Sequence, residues 1–148
     1  MAIAATDAAD RVEQLITLTE RLTGLIALEA QAFEQRRPQD AARTLAETSK
    51  LANLYRHESA RVRAHPQLVE GASLAQRTRL VQATEAFDAV LARQGRALAA
   101  AKTVTEGLVH AIASEVASQR AGAGSYGPGA TTAAPTGSST AITLNRRA

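Results

Sequence analysis

The sequence predicts an all-α protein: an elongated antiparallel three-helix coiled-coil bundle with one very long C-terminal helix and a disordered tail. Alanine is the commonest residue, and Leu, Arg, Gln and Glu, which also favour helix, are well represented. Aromatic residues make up only 3% of the chain, so the helix contacts should be thin and alanine-rich. We expect helices at about 7–36, 39–64 and 74–120, a bundle over 1–120 and a flexible tail over 121–148.

The first helix is predicted by a capping residue followed by an apolar seam. Thr6 or Asp7 suits the N-cap, and acidic residues follow in the first turns, where the helix dipole favours them. The seam repeats at steps of three and four residues, as in a coiled coil. It contains Leu15, Leu18, Leu22, Leu25, Glu29 and Ala32. The helix should end just before Pro38, which disfavours α geometry in the residue that precedes it.

The sequence leaves two alternatives at Pro38: a second helix begins there, or one long helix is kinked there. Proline fits the first turn of a new helix, but it also kinks a continuous one, and both readings place Leu45 to Val62 on a helix. Its apolar stripe is rougher than that of the first helix. The stripe contains Ala42, Leu45, Leu51, Leu54, Tyr55, Glu58 and Val62.

The third helix should begin after the break from His65 to Ser73. Ser73 and Gln76 have the spacing of a capping box. The seam that follows contains Leu80, Thr84, Phe87, Leu91, Gln94, Leu98, Ala101, Thr105, Leu108 and Ile112. A helix of this length cannot bury its own seam, so we expect the first two helices to lie antiparallel along it.

Glycines and polar residues interrupt this regular pattern. Gly95 and Gly107 lie inside the third helix, where they predict either a close helix approach or a soft point. The polar seam residues predict satisfied core groups that set the register, or a side left open for a partner. They are Glu29, Thr84, Gln94 and Thr105. Local ion pairs on solvated helix faces are expected for Glu34/Arg37, Glu47/Lys50 and Glu58/Arg61.

The sequence contains no recognisable arrangement of catalytic or metal-binding residues. The chain has no cysteine, and His57, His65 and His110 do not have metal-ligand spacing. We therefore expect no catalytic residue, no metal site and no cofactor. Residues 1–120 carry fifteen basic and fourteen acidic side chains, which does not favour nucleic-acid binding. No apolar run is long enough for membrane insertion, and no secretory signal is recognisable, so we expect a cytoplasmic protein.

Three groups of residues resemble the FlgN family of flagellar type III export chaperones. The first group lies on helix one and contains Leu25, Leu28, Glu29 and Phe33. The second lies on helix two and contains Leu45, Ser49, Lys50, Leu51, Leu54, Tyr55 and Arg61. The third follows the last helix and contains Tyr126, Gly127 and Gly129. The resemblance covers most of residues 10–130, with approximate matches to each motif.

The resemblance implies a cytoplasmic chaperone for hook–filament junction proteins, the flagellar hook-associated proteins. Such a chaperone holds the C-terminal helical segments of its clients and delivers them to the export gate protein. In similar chaperones a tyrosine outside the bundle docks on the gate, and Tyr126 is the matching residue here.

The apolar seam of the third helix is the expected client-binding groove, because a partner helix could lie along it. The predicted groove residues are Leu98, Ala101, Thr105, Leu108, Ile112 and Val116. The same seam could instead be covered within the bundle, or by a second copy of the chain in a weak homodimer. Two other functions therefore stay open: a flagellar assembly or regulatory adaptor with another client, and a homo-oligomeric structural coiled coil.

Overall fold

The computed structural model describes residues 2–123, and 87% of the described residues are helical with no strand among them. The helices are α1 (Ala8–Glu34), α2 (Pro38–Ala42), α3 (Leu45–Ala64), α4 (Gln67–Glu70) and α5 (Leu74–Ala123). The all-α prediction is confirmed. The chain divides into two units, Met1–Leu108 and Val109–Ala148, and the division falls within α5.

Two predicted caps begin the long helices. Asp7 caps α1, and its carboxylate accepts a hydrogen bond from the Asp10 N–H at 2.8 Å. The Asp10 carboxylate in turn accepts the Thr6 N–H at 2.9 Å, and this bond lowers the pKa of Asp10. At α5 the capping box is reciprocal: Ser73 Oγ accepts the Gln76 N–H at 3.1 Å, and Gln76 Oε1 accepts the Ser73 N–H at 3.1 Å.

Helix α1 is the central element of the first unit. All six predicted seam positions are buried: Leu15, Leu18, Leu22, Leu25, Glu29 and Ala32. Leu22 and Ile26 pack against Phe87 and Val90 of α5. Tyr55 of α3 joins the same cluster, with its ring centroid 4.8 Å from that of Phe87. The three long helices therefore share one core.

Buried Glu29 links these three helices. Its side chain accepts hydrogen bonds from Thr48 Oγ1 at 2.6 Å, Thr44 Oγ1 at 3.2 Å and Gln94 Nε2 at 2.9 Å. Only 5% of Glu29 is exposed, so these donors replace the water that the carboxylate loses. The hypothesis that polar seam residues are satisfied core groups is confirmed for Glu29, and half-buried Gln94 supplies one of its hydrogen-bond donors.

Buried Glu58 holds the start of the chain against α3. It is 0% exposed, and it accepts the Ile3 N–H at 2.8 Å and Arg11 Nη1 at 3.2 Å. The bond to Ile3 places the Ile3 side chain beside Leu15 and Leu18 in the core. Arg11 lies near the beginning of α1 and Glu58 near the end of α3, so these two helices run in opposite directions.

Helix α1 runs in the same direction as α5, which corrects one prediction. Glu13 near the start of α1 pairs with Arg79 near the start of α5, at 2.9 Å. Further along both helices, Glu34 pairs with Arg93 at 2.7 Å. The expectation that both earlier helices lie antiparallel to the third is therefore wrong for α1. The chain reverses before α3 and again before α5, and two reversals restore the original direction.

The buried stripe of α5 also differs from the predicted seam. The residues of α5 that are buried are Ala83, Phe87, Val90 and Ala97. Leu91 and Leu98, which the heptad pattern placed in the seam, are 39% and 43% exposed. Because alanine is short, a stripe that includes Ala83 and Ala97 lets the neighbouring helices approach more closely than leucine would.

The predicted second helix is two helices in the structure. Pro38 opens α2, so it separates two helices rather than kinking one. The helix then breaks at Arg43 and Thr44 before α3 begins. This break changes the phase of the apolar stripe: Leu45 is 58% exposed, while Thr48 is buried.

The predicted local ion pairs are replaced by pairs between helices. The observed pairs are Glu34 with Arg93, Glu47 with Arg21, and Glu58 with Arg11. A glutamate that faces another helix finds a partner there, and this choice depends on packing that sequence spacing does not report.

The glycines inside α5 do not mark a close helix approach. A Cβ atom added at Gly95 or Gly107 would meet nothing within 4 Å. That half of the prediction is wrong, and the soft-point alternative stays a prediction. Helix α5 itself continues to Ala123, beyond the predicted end at 120.

Replacing Glu58 by alanine should strongly destabilise the first unit. The substitution leaves Arg11, which is 7% exposed, without its partner, and it leaves the Ile3 N–H without an acceptor. We expect Glu58→Ala to lower the free energy of unfolding by about 3–5 kcal/mol, measured by urea denaturation. The control is exposed Glu20→Ala. Equal losses in the two variants would contradict this account.

Candidate functional site

An apolar groove lies beside α5 at the point where α1 ends. We call it the terminal groove, and its volume is about 620 Å³. Its apolar lining contains Phe33, Pro38, Ala97, Leu98, Ala101 and Val104. The groove begins one helical turn beyond the hydrogen bond between Glu29 and Gln94. This bond therefore positions the two walls relative to each other.

A Schellman motif ends α1 at the edge of this groove. The Arg36 N–H donates to Phe33 O at 3.1 Å, and the Arg37 N–H donates to Ala32 O at 2.8 Å. Arg36 has a φ of 58°, in the left-handed region where glycine is usually found. The motif turns the chain away from α5, and Pro38 then opens α2. Helix α5 continues without α1 beside it.

Within the first unit, the α5 residues of the predicted client groove are largely exposed. Leu98 is 43% exposed and Leu108 is 59% exposed. Ala101 is half-buried, and Thr105 is exposed with its hydroxyl bonded to Ala101 O at 3.0 Å. Leu98, Ala101 and Thr105 line the terminal groove. In the second unit, Ile112 and Val116 are also exposed apolar residues of α5.

Sequence reasoning missed several residues of the groove. Val104 is 53% exposed and lines the groove beside Ala101, although it lies outside the predicted seam. A stripe wider than the heptad positions was the available signal for this residue. Arg36 and Pro38 come from the turn after α1, and only the folded chain brings them to α5.

Charged groups surround the apolar lining. Arg93 makes a two-pronged contact with the Glu34 carboxylate, with Nε at 2.8 Å and Nη2 at 2.7 Å. This hydrogen-bonded guanidinium lowers the pKa of Glu34, and the carboxylate in turn raises the pKa of Arg93. Lys102 lies 3.8 Å from Glu106 in an exposed pair along the helix. Arg36 forms no ion pair among residues 2–123.

A full-length relative shows the family of the chain. The chain is 67% identical over 149 residues to the flagellar basal-body protein FlbY of Caulobacter vibrioides, and the match covers all of both proteins. The chain belongs to the FlbY family. No protein-family model and no solved structure matches it. Membership of the FlgN family therefore stays a prediction for this FlbY-family chain.

Three other expectations for this FlbY-family chain concern a metal site, membrane insertion and the position of Tyr126. In residues 2–123 no group of three or more histidine or acidic side chains could hold a metal ion. Over the same residues, the helices lack the apolar length needed to cross a bilayer. Tyr126, the predicted gate-docking residue, lies outside the described residues.

Replacing Arg36 by glycine should stabilise this FlbY-family protein. Glycine adopts the left-handed conformation without the clash that a Cβ atom causes, and the backbone bonds of the Schellman motif remain. We expect the free energy of unfolding to rise by about 0.5–1 kcal/mol, measured by urea denaturation. Arg37 has a φ of −121°, so the control Arg37→Gly should not stabilise. A loss of stability in Arg36→Gly would show that the side chain, not the turn, matters for folding.

Proposed function

We propose that this chain is a cytoplasmic flagellar export chaperone of FlgN type, without catalytic activity. It binds C-terminal helical segments of hook–filament junction proteins and delivers them to the export gate. The observation that carries the proposal is the uncovered apolar face of α5 from Leu98 to Leu108. The name of the Caulobacter vibrioides relative, a flagellar basal-body protein, supports a flagellar role.

The arrangement of the first unit suits the reversible capture of a helix. From Ala83 to Ala97, one face of α5 is buried, and Phe87 and Val90 on that face pack against α1 and α3. Beyond Glu34, α1 no longer covers α5, while the apolar residues of α5 continue. A client helix would bury Leu98, Val104 and Leu108, and each would gain the free energy of removing apolar surface from water. Ile112 and Val116, in the second unit, are also proposed as client-binding residues.

The relative's name also favours a second candidate, a flagellar assembly or regulatory adaptor with another client. Such an adaptor would use the same α5 residues, so the identity of the bound protein separates the two functions. A homo-oligomeric structural coiled coil would bury these residues between copies of the chain. Light scattering of the pure protein distinguishes it, because a chaperone should stay a monomer or loose dimer and gain mass only with its client.

Binding of a hook-associated protein segment tests the chaperone proposal directly. The full chain should bind the C-terminal segment of a hook-associated protein at micromolar concentration, measured by calorimetry. Leu98→Asp and Leu108→Asp should each weaken this binding about tenfold or more, because each places a charge in an apolar contact. The control Val81→Asp changes another exposed apolar residue of α5 and should bind normally. Failure of the unmodified chain to bind the segment would favour the adaptor.

Tyr126 is proposed to dock on the export gate protein. An aromatic side chain can supply much of the affinity of such a contact. Tyr126→Ala should therefore weaken gate binding and leave client binding unchanged, with both measured on the same protein preparation. Tyr55→Ala is a poor control because Tyr55 packs in the core, so Thr131→Ala serves instead. Lost client binding with intact gate binding would reject the assignment.

A further inference from the structure

The terminal groove has a positive rim around an apolar interior. Arg36 stands on the side of α1 and α2, and Lys102 stands on α5. Arg36 forms no ion pair with a described residue. The contact of Lys102 with Glu106 is long at 3.8 Å, and both side chains are more than two-thirds exposed. Such a pair holds its lysine only weakly, so Lys102 can change partners.

Among residues 2–123, one carboxylate lines the groove, and it is already paired with an arginine. Glu34 accepts two hydrogen bonds from Arg93, whose guanidinium matches the carboxylate with both nitrogens. Its negative charge is therefore largely neutralised within the protein. An approaching partner meets the charges of Arg36 and Lys102 without an equal opposing charge from the lining residues.

The backbone of Arg36 gives a second reason to assign this residue a role. A residue with a side chain costs roughly 1–2 kcal/mol in the left-handed conformation, and glycine would avoid this cost at a φ of 58°. A strained residue at the edge of a groove is a sound basis for a functional hypothesis. The Schellman bonds fix the Arg36 backbone, so they also fix where its side chain begins.

We propose that the terminal groove binds an acidic amphipathic helical segment of a partner protein. An apolar side chain of the segment enters between Phe33 and Ala101, and carboxylates beside it pair with Arg36 and Lys102. This inference rests on the proposed function and adds to it the charge of the client segment. Charge complementarity selects the partner, while burial of the apolar side chain supplies most of the affinity.

Two matched peptides test this inference on the full chain. Both are synthetic helices of about 20 residues with the same leucine face, and one carries glutamates beside that face where the other carries lysines. We expect the glutamate peptide to bind about tenfold more tightly in fluorescence anisotropy. Its binding should also weaken as sodium chloride is raised, because the rim charges are exposed to solvent.

Substitutions at the rim should separate a binding role from a folding role. Arg36→Gly and Lys102→Ala should each weaken binding of the glutamate peptide about two- to fivefold, as expected for a partly exposed ion pair. Arg36→Gly does so while stabilising the fold, so lost folding cannot explain the result. Arg77→Glu, at an exposed position near the start of α5, is the matched control and should bind normally.

Three outcomes would overturn the inference, and a fourth would support it while rejecting the chaperone proposal. Equal binding of the two peptides, or rim variants that bind normally, would show that the groove does not select acidic segments. Binding of a hook-associated segment without binding of the glutamate peptide would do the same and leave the chaperone proposal standing. Binding of the glutamate peptide without any hook-associated segment would support an acidic partner and reject the chaperone proposal.

Discussion

The first unit depends on the removal of one carboxylate, that of Glu29, from water. A buried charge is stable only where hydrogen-bond donors replace its lost hydration. Here the donors come from two other helices, Thr48 of α3 and Gln94 of α5. Sliding any of the three helices by one turn would break these bonds and leave the charge unsatisfied. Glu29 therefore sets the register in a way that interchangeable leucines and alanines do not.

The position of the terminal groove follows from this register. Phe33 lies one turn beyond Glu29 on α1, and Ala97 and Leu98 lie one turn beyond Gln94 on α5. The Schellman turn then ends α1 and directs the chain away from α5, although the apolar pattern of α5 continues. The groove is thus the place where the intramolecular packing stops before the apolar surface does. The buried hydrogen bonds of Glu29 thus determine where the surface that we propose binds a client begins.

Most of the helical framework is predictable because its causes are local. The six seam positions of α1 are all buried, since a strict spacing of three and four residues faces one side of a helix. The capping box of Ser73 and Gln76 forms as its spacing indicates. By contrast, Leu91 and Leu98 fit the heptad pattern of α5 and are exposed. Adjacent faces of an alanine-rich helix are similar in hydrophobicity, so packing against the other helices determines which face is buried.

The sequence by itself determined the all-α class, the two main helix starts, the buried face of α1 and the apolar face of α5. These follow from bonds and spacings within a few residues. Only the tertiary structure decided that Arg11, Arg21 and Arg93 pair across helices, and that Arg36 and Pro38 reach the groove. Contacts between distant residues depend on helix direction and register, which several buried interactions set together. No single sequence motif therefore predicts which distant residues come into contact.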